Sequence, residues 1–137
     1  MKDHEHVFPS YFPDNCPPKE AKCEEIIMYR LCKNATPSPE DFISFYLSNP
    51  DRYKGMVNAY GLSVFPSPQD CVLARKKSPK LREKTSTIAF GQNNCDRGKI
   101  LRNGSPQNPS HITWWVYEGV EPHKFFAPYS EGSAINE

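Results

Sequence analysis

The chain has 137 residues, 17 lysines and arginines against 16 aspartates and glutamates, and a formal net charge of +1. That is the length of one domain, and the charge excludes a global field that would draw the protein to nucleic acid or an anionic membrane. With 37% hydrophobic and 12% aromatic residues, and 14 prolines against 7 glycines, a compact aromatic core with short elements is expected and long uninterrupted helices are excluded.

Residues 1–18 read as an irregular N-terminal arm. They mix charge, histidine and prolines such as Phe8-Pro9 and Cys16-Pro17-Pro18, while Phe8, Tyr11 and Phe12 offer rings that would pin the arm to the body. The start, Met1-Lys2-Asp3-His4-Glu5-His6, is polar and no apolar run follows it, so no signal peptide is expected. The cysteines number five, an odd count without a tidy framework. They are therefore expected as reduced thiols of a cytoplasmic protein. No stretch approaches membrane-spanning length.

A single α+β domain is expected over residues 19–129, followed by a flexible tail at 130–137. Glu24 to Cys32 is ambiguous by period: Ile27, Met28 and Leu31 would form one face of a helix, but a strand is preferred, since the run is short, β-branched at its start and followed by turn formers from Asn34 to Pro39. Ser38-Pro39-Glu40-Asp41 and Ser67-Pro68-Gln69-Asp70 each place a serine N-cap before proline at the first helical position. The first predicts a helix through Leu47, ended by Asn49-Pro50. The second predicts a helix through Ala74 into Arg75-Lys76-Lys77, whose cations suit a helix C-terminus. Strands are expected at Tyr60–Phe65, at Thr85–Phe90 with a stop at Gly91, at Lys99–Arg102, at Ser110–Tyr117, and as an edge at Lys124–Ala127. The whole reads as a mainly antiparallel sheet with two or three short helices.

The Ser110–Tyr117 strand holds both tryptophans. Alternation puts Ile112, Trp114 and Val116 on one face, assigned to the core, and His111, Thr113, Trp115 and Tyr117 on the other, facing a second packed layer or a cleft. In the second case Thr113, Trp115 and Tyr117 would bind ligand, and His111 with Thr113 would grip a phosphate or move a proton.

Other chemistry is weaker. Cys16, Cys23 and Cys32 with His4 and His6 contain no Cys-x-x-Cys pair, and no metal site is expected from them. Cys71 at a helix start, with His111 or His123 as base, is a conceivable nucleophile, but packing on the helix face accounts for it. Arg75, Lys76, Lys77 and Arg82, with Lys80 and Lys84, form a basic stretch that would bind nucleic acid if aromatic side chains lay beside it, and otherwise a solvated face.

Taken together, Tyr29-Arg30, Asp41-Phe42-Ile43-Ser44, Gly61-Leu62-Ser63-Val64-Phe65, Ile88-Ala89-Phe90-Gly91 and His111-Ile112-Thr113-Trp114-Trp115 occur in an order that resembles small uncharacterised bacterial proteins. More distantly, it resembles the ADP-ribosyltransferase-like fold. That resemblance implies an NAD pocket with Arg30 on the first strand, Ser63 on the second, His111 nearby and Glu118 as the later glutamate. The first expectation for function is a small binding or interaction domain that takes a protein partner or small ligand and needs no cofactor. The alternatives are an ADP-ribosyltransferase-like enzyme acting on NAD or a nucleotide end, and a nucleic-acid-binding protein.

Overall fold

A computed structural model describes residues 6–130. His4, weighed above as a metal ligand, and residues 131–137, on which the tail expectation mostly fell, lie outside them. Among the described residues six strands form two three-stranded sheets, antiparallel at every pairing. Strands β1 (Ile26–Cys32), β3 (Thr87–Asn93) and β6 (Ala127–Pro128) lie in the order β1-β3-β6. Strands β2 (Leu62–Val64), β5 (Ile112–Val116) and β4 (Gly98–Arg102) lie in the order β2-β5-β4. A backbone pair of Tyr29 in β1 with Phe65, directly after β2, joins one sheet to the other, and Lys22 in the segment before β1 pairs with Ile100 of β4. The expected α+β architecture holds, with two small sheets in place of one.

The tryptophan strand is central, flanked on both sides, because each of its faces has apolar material to bury. Trp114 packs with Met28, Leu62, Val64, Ile100, Ile112 and Phe126 between the sheets. Trp115 packs on the opposite side with Cys16, Ala21 and Tyr60, reached by Phe8, Phe12 and Tyr46. Both indoles are fully buried. The second layer is the N-terminal arm: Phe8 lies 4.7 Å from Tyr117, Phe12 meets Tyr60 edge-on at 5.6 Å, and the Glu118 amide donates to the Val7 carbonyl at 2.8 Å.

Among the described residues there are four short α-helices: α1 (Phe45–Ser48), α2 (Pro50–Tyr53), α3 (Pro68–Lys77) and α4 (Pro79–Lys84). None is long and apolar enough to cross a membrane. The Ser67 hydroxyl caps α3 by accepting from the Asp70 amide at 3.2 Å, as its sequence predicts. The same Ser-Pro signal at Ser78-Pro79 opens α4, where the Ser78 hydroxyl accepts from the Leu81 amide at 3.2 Å. That helix was not anticipated.

The single helix expected from Pro39 to Leu47 is broken. A 3-10 turn at Pro39–Phe42 gives way to extended Ile43, and Ser44 caps α1 afresh through the Leu47 amide. The cause is Asp41, whose carboxylate turns back to accept from the Lys33 amide at 2.8 Å and the Ser38 amide at 3.1 Å. Burial alone would raise its pKa, but these donors outweigh burial and hold it below the usual carboxylate value.

Two further boundaries differ from expectation. Strand β3 runs through Gly91 to Asn93, because Phe126 packs where a Gly91 side chain would stand. Lys124 belongs to a 3-10 turn at Pro122–Lys124, and Phe126 enters the core, leaving only Ala127–Pro128 as edge strand.

The cysteine expectation is corrected. Cys23 and Cys95 form a disulfide across a sequence separation of 72. The β1–β3 register brings the two segments together: Ile26 pairs with Asn93, and the chain stretches beyond that pair carry Cys23 and Cys95 to a Cα separation of 5.0 Å. Cys16, Cys32 and Cys71 are free and buried.

Truncating Trp114 to alanine is expected to lower stability by about 3–5 kcal/mol, measured by urea unfolding. Replacing Cys23 and Cys95 together by serine should lower it by about 2–4 kcal/mol through release of the closed loop; a difference below about 1 kcal/mol between oxidised wild type and double variant would contradict that.

Candidate functional sites

Register brings one polar group together. Ser63 pairs with Thr113 across β2 and β5, and Arg102 pairs with Ile112 across β4 and β5. The next position outward from that last pair sets Asn103 opposite His111 on the face of Ser63 and Thr113, with His111 diagonal to Ser63. The side chains close the chain: His111 Nε2 lies 2.8 Å from the Ser63 hydroxyl, His111 Nδ1 lies 3.0 Å from Asn103 Oδ1, and Asn103 Nδ2 donates to the Thr113 hydroxyl at 2.8 Å. Ser63, His111 and Asn103 are half-buried, and Thr113 is buried. Burial lowers the His111 pKa below the ordinary histidine value, which favours the neutral ring.

Arg30 approaches the same group from the other side. Its Nη1 donates to the Ser63 carbonyl at 2.8 Å and its Nε to the Asp41 carbonyl at 2.9 Å, with the guanidinium 5.6 Å from the Phe42 ring centre. Arg30 thus ties β1 to β2 and to the Pro39–Phe42 turn. Burial lowers its pKa, against the opposing influence of Cys32 and Asp41. The transferase resemblance requires Arg30, Ser63 and Glu118 around one pocket. The structure brings Arg30, Ser63 and His111 together, while Glu118 lies beyond the other end of β5, seven positions from His111 and roughly 20 Å away at the rise of a strand.

Glu118 belongs instead to a cleft of about 190 Å³ between the arm and the end of β5, whose walls include Pro9, Tyr11, Phe12, Tyr60 and Tyr117. Tyr11 stacks on Tyr46 at 5.6 Å and stays 41% exposed at the rim. Its pKa is raised by burial first and then by the negative charge of Glu118, so that charge faces the aromatic wall. Of the three side chains expected to bind ligand, only Tyr117 borders this cleft. Trp115 is sealed by the arm, its Nε1 donating to the Val57 carbonyl at 3.1 Å, and Thr113 lies buried beneath Asn103. The face of Trp115 therefore meets a packed layer, because the arm is apolar enough to cover it.

A second cleft of about 360 Å³ is lined by Leu31, Val72, Arg75, Thr87, Ile88 and Tyr129 among others. Of the basic residues named for nucleic acid, Arg75, Lys77 and Arg82 are engaged with the protein's own backbone, while Lys76 is exposed, as are Lys80 and Lys84. Arg75 donates to the Thr85 and Arg82 carbonyls, Arg82 to the Lys76 and Arg75 carbonyls, and Lys77 to the Gln107 carbonyl at 2.6 Å. Arg82 thereby caps the C-terminal end of α3, a structural role that accounts for its charge. Both tryptophans are buried elsewhere, and the aromatic side chain that lies in this cleft with Arg75 is the half-buried Tyr129.

Cys71 is fully buried beside Tyr29, Phe65 and Ala74, and burial pushes its thiol up to about 12, so it packs as a small apolar side chain. Among the described residues no cluster of three or more histidine, cysteine or acidic side chains is placed to hold a metal ion. Comparison with protein-family models, curated proteins and solved structures finds no match, so the sites are read from their own chemistry.

A pH dependence follows from His111. Below the ordinary histidine pKa the unfolded chain takes up a proton that the folded ring resists, so this contribution is full above that value and is lost as the pH falls through the lower, folded one. The melting temperature is expected to fall from about pH 7 to about pH 5. Calorimetry on His111→Gln should show a shallower fall; parallel curves for the two proteins would contradict the assignment.

Proposed function

We propose that the chain is a small binding domain that captures a single cationic side chain from a protein partner in the cleft between the N-terminal arm and the end of β5. The observation that carries the reading is the pairing of aromatic walls from Tyr11, Phe12, Tyr60 and Tyr117 with the Glu118 carboxylate at the margin. At about 190 Å³ the cleft is smaller than the roughly 300–1,000 Å³ typical of drug-sized ligands, so it suits one side chain and not a dinucleotide. A lysine or arginine stem fits against the aromatic side chains that line the cleft, and its charged head meets Glu118. Exposed Tyr11 and Leu47 on the rim supply apolar surface for the flanking residues of the partner. The reading holds in the cytoplasm expected from the sequence and in an oxidising compartment alike, since neither Cys23 nor Cys95 lines the cleft.

The transferase and nucleic-acid alternatives draw less support. The first needs Glu118 beside Ser63, and of the second's four named cations Arg75, Lys77 and Arg82 are held by backbone carbonyls, leaving Lys76.

An NMR titration tests the binding reading. A capped Ala-Lys-Ala peptide at millimolar concentration should shift the amides of Tyr117, Glu118 and Gly119, whereas the same peptide with norleucine for lysine should shift them far less. Glu118→Gln should weaken the lysine response several-fold, on the scale of one lost charge contact. Equal responses to both peptides, or none to either, would remove the reading.

A further inference from the structure

We propose that Ser63, His111 and Asn103 form a nucleophile, base and orienting group able to accept an acyl group from a small activated ester, at the end of the sheet opposite the aromatic cleft. The inference is independent of the binding reading. It rests on the connected geometry of three side chains that come from three separate segments: Ser63 from β2, Asn103 from the position after β4, and His111 from the position before β5.

The distances have the order that nucleophilic catalysis needs. The hydroxyl is 2.8 Å from one imidazole nitrogen, and the other nitrogen is 3.0 Å from an amide oxygen. The Asn103 amide sets the direction of the protons. Its nitrogen donates to the Thr113 hydroxyl, so its oxygen faces His111 Nδ1 and accepts the proton carried there. A neutral ring protonated at Nδ1 leaves a lone pair at Nε2, aimed at the Ser63 hydroxyl. Asn103 is then a positioning residue, held in turn by Thr113.

The loop between β4 and β5 begins and ends on these residues, and its own bonds fix its span. Ser105 and Asn108 exchange backbone hydrogen bonds at 3.1 Å, and the His111 amide donates to the Asn108 carbonyl at 3.1 Å. Residues 104–107 of the loop are exposed, which puts solvent beside the half-buried Asn103 and His111. Phe65 meets the His111 ring edge-on at 5.8 Å and limits its rotation. On the far side Arg30 grips the Ser63 carbonyl, fixing the backbone that carries the hydroxyl. Ser63 and His111 lie outside both clefts described above, so the ester chosen to test them is a small one.

The step balances as acyl transfer. Nε2 takes the Ser63 proton while Oγ forms a bond to the carbonyl carbon of the ester. Collapse of the tetrahedral adduct breaks the bond to the leaving oxygen, which receives the proton from Nε2, and Ser63 is left as an ester. Water then repeats the sequence, giving the acid and the free hydroxyl.

The experiment uses the intact chain and p-nitrophenyl acetate, with nitrophenolate release followed by absorbance and the site of acetylation located by peptide mass spectrometry. The expected result is one acetyl group on Ser63, formed at least about a hundredfold more slowly in His111→Gln, as loss of a general base predicts. Asn103→Ala should slow it while leaving Ser63 the modified residue. Acetylation confined to lysines, or an unchanged rate in folded Ser63→Ala, would overturn the proposal. Should the variants fail to fold, two measurements on the wild type decide. Long-range proton–nitrogen spectra must show the His111 proton on Nδ1, and acetylation must follow the His111 titration. A proton on Nε2, or a rate that simply tracks hydroxide, overturns it.

Discussion

A single buried amide holds the architecture in register. Asn93, at the end of β3 in one sheet, accepts from the Trp114 indole of β5 in the other at 2.8 Å. Its nitrogen donates to the Glu24 and Gly98 carbonyls at 2.9 and 3.2 Å. Asn93 and Trp114 are both fully buried. Each such bond contributes only about 1 kcal/mol net, but a buried amide or indole left without its partner costs about 1–3 kcal/mol. The sheets therefore have one relative setting in which every polar atom at the junction is satisfied. Gly98 belongs to that setting, because a side chain there would collide with the Trp115 backbone and the Trp114 ring.

From that junction β5 becomes a two-sided strand. Trp114 fills the space between the sheets, while Trp115 needs a cover that a sheet of three strands cannot supply by itself. The arm supplies it, with Phe8 and Phe12 laid over Tyr117 and Tyr60. The polar features then appear where the cover ends. At one limit of β5 the arm leaves the aromatic cleft with Glu118, and at the other the layer gives way to the Ser63, His111 and Asn103 group.

Much of the local structure was legible in the sequence because it depends on neighbours along the chain. Alternation along Ser110–Tyr117 assigned Trp114 to the core, and Ser67-Pro68 marked the start of α3. Ser78-Pro79 carried the same signal and went unread beside a run of cations. Features that depend on pairing between distant segments were hidden. Nothing in the run Lys99–Arg102 singles out the Asn103 that follows it, and only the β4–β5 register sets it opposite His111. Cys23 and Cys95 share no spacing rule, since the register of β1 with β3 is what joins them. Asp41 looked like a first-turn carboxylate of a longer helix, yet the backbone donors after β1 claimed it and broke that helix.

The Cys23–Cys95 bond also divides the molecule mechanically. Strands β1, β2 and β3 and all four α-helices lie within the ring it closes, whereas the arm, β4, β5 and β6 lie outside. Tension applied to the two ends of the chain crosses from one sulfur to the other and bypasses everything in the ring. The load falls on the arm against β5, on the β4–β5 hairpin and on the short β3–β6 pairing that ties the C-terminal segment to the ring. In the oxidised protein a pull that opened the aromatic cleft would leave β1 and the helices between it and β3 slack, while reduction would let the same pull run through the whole fold.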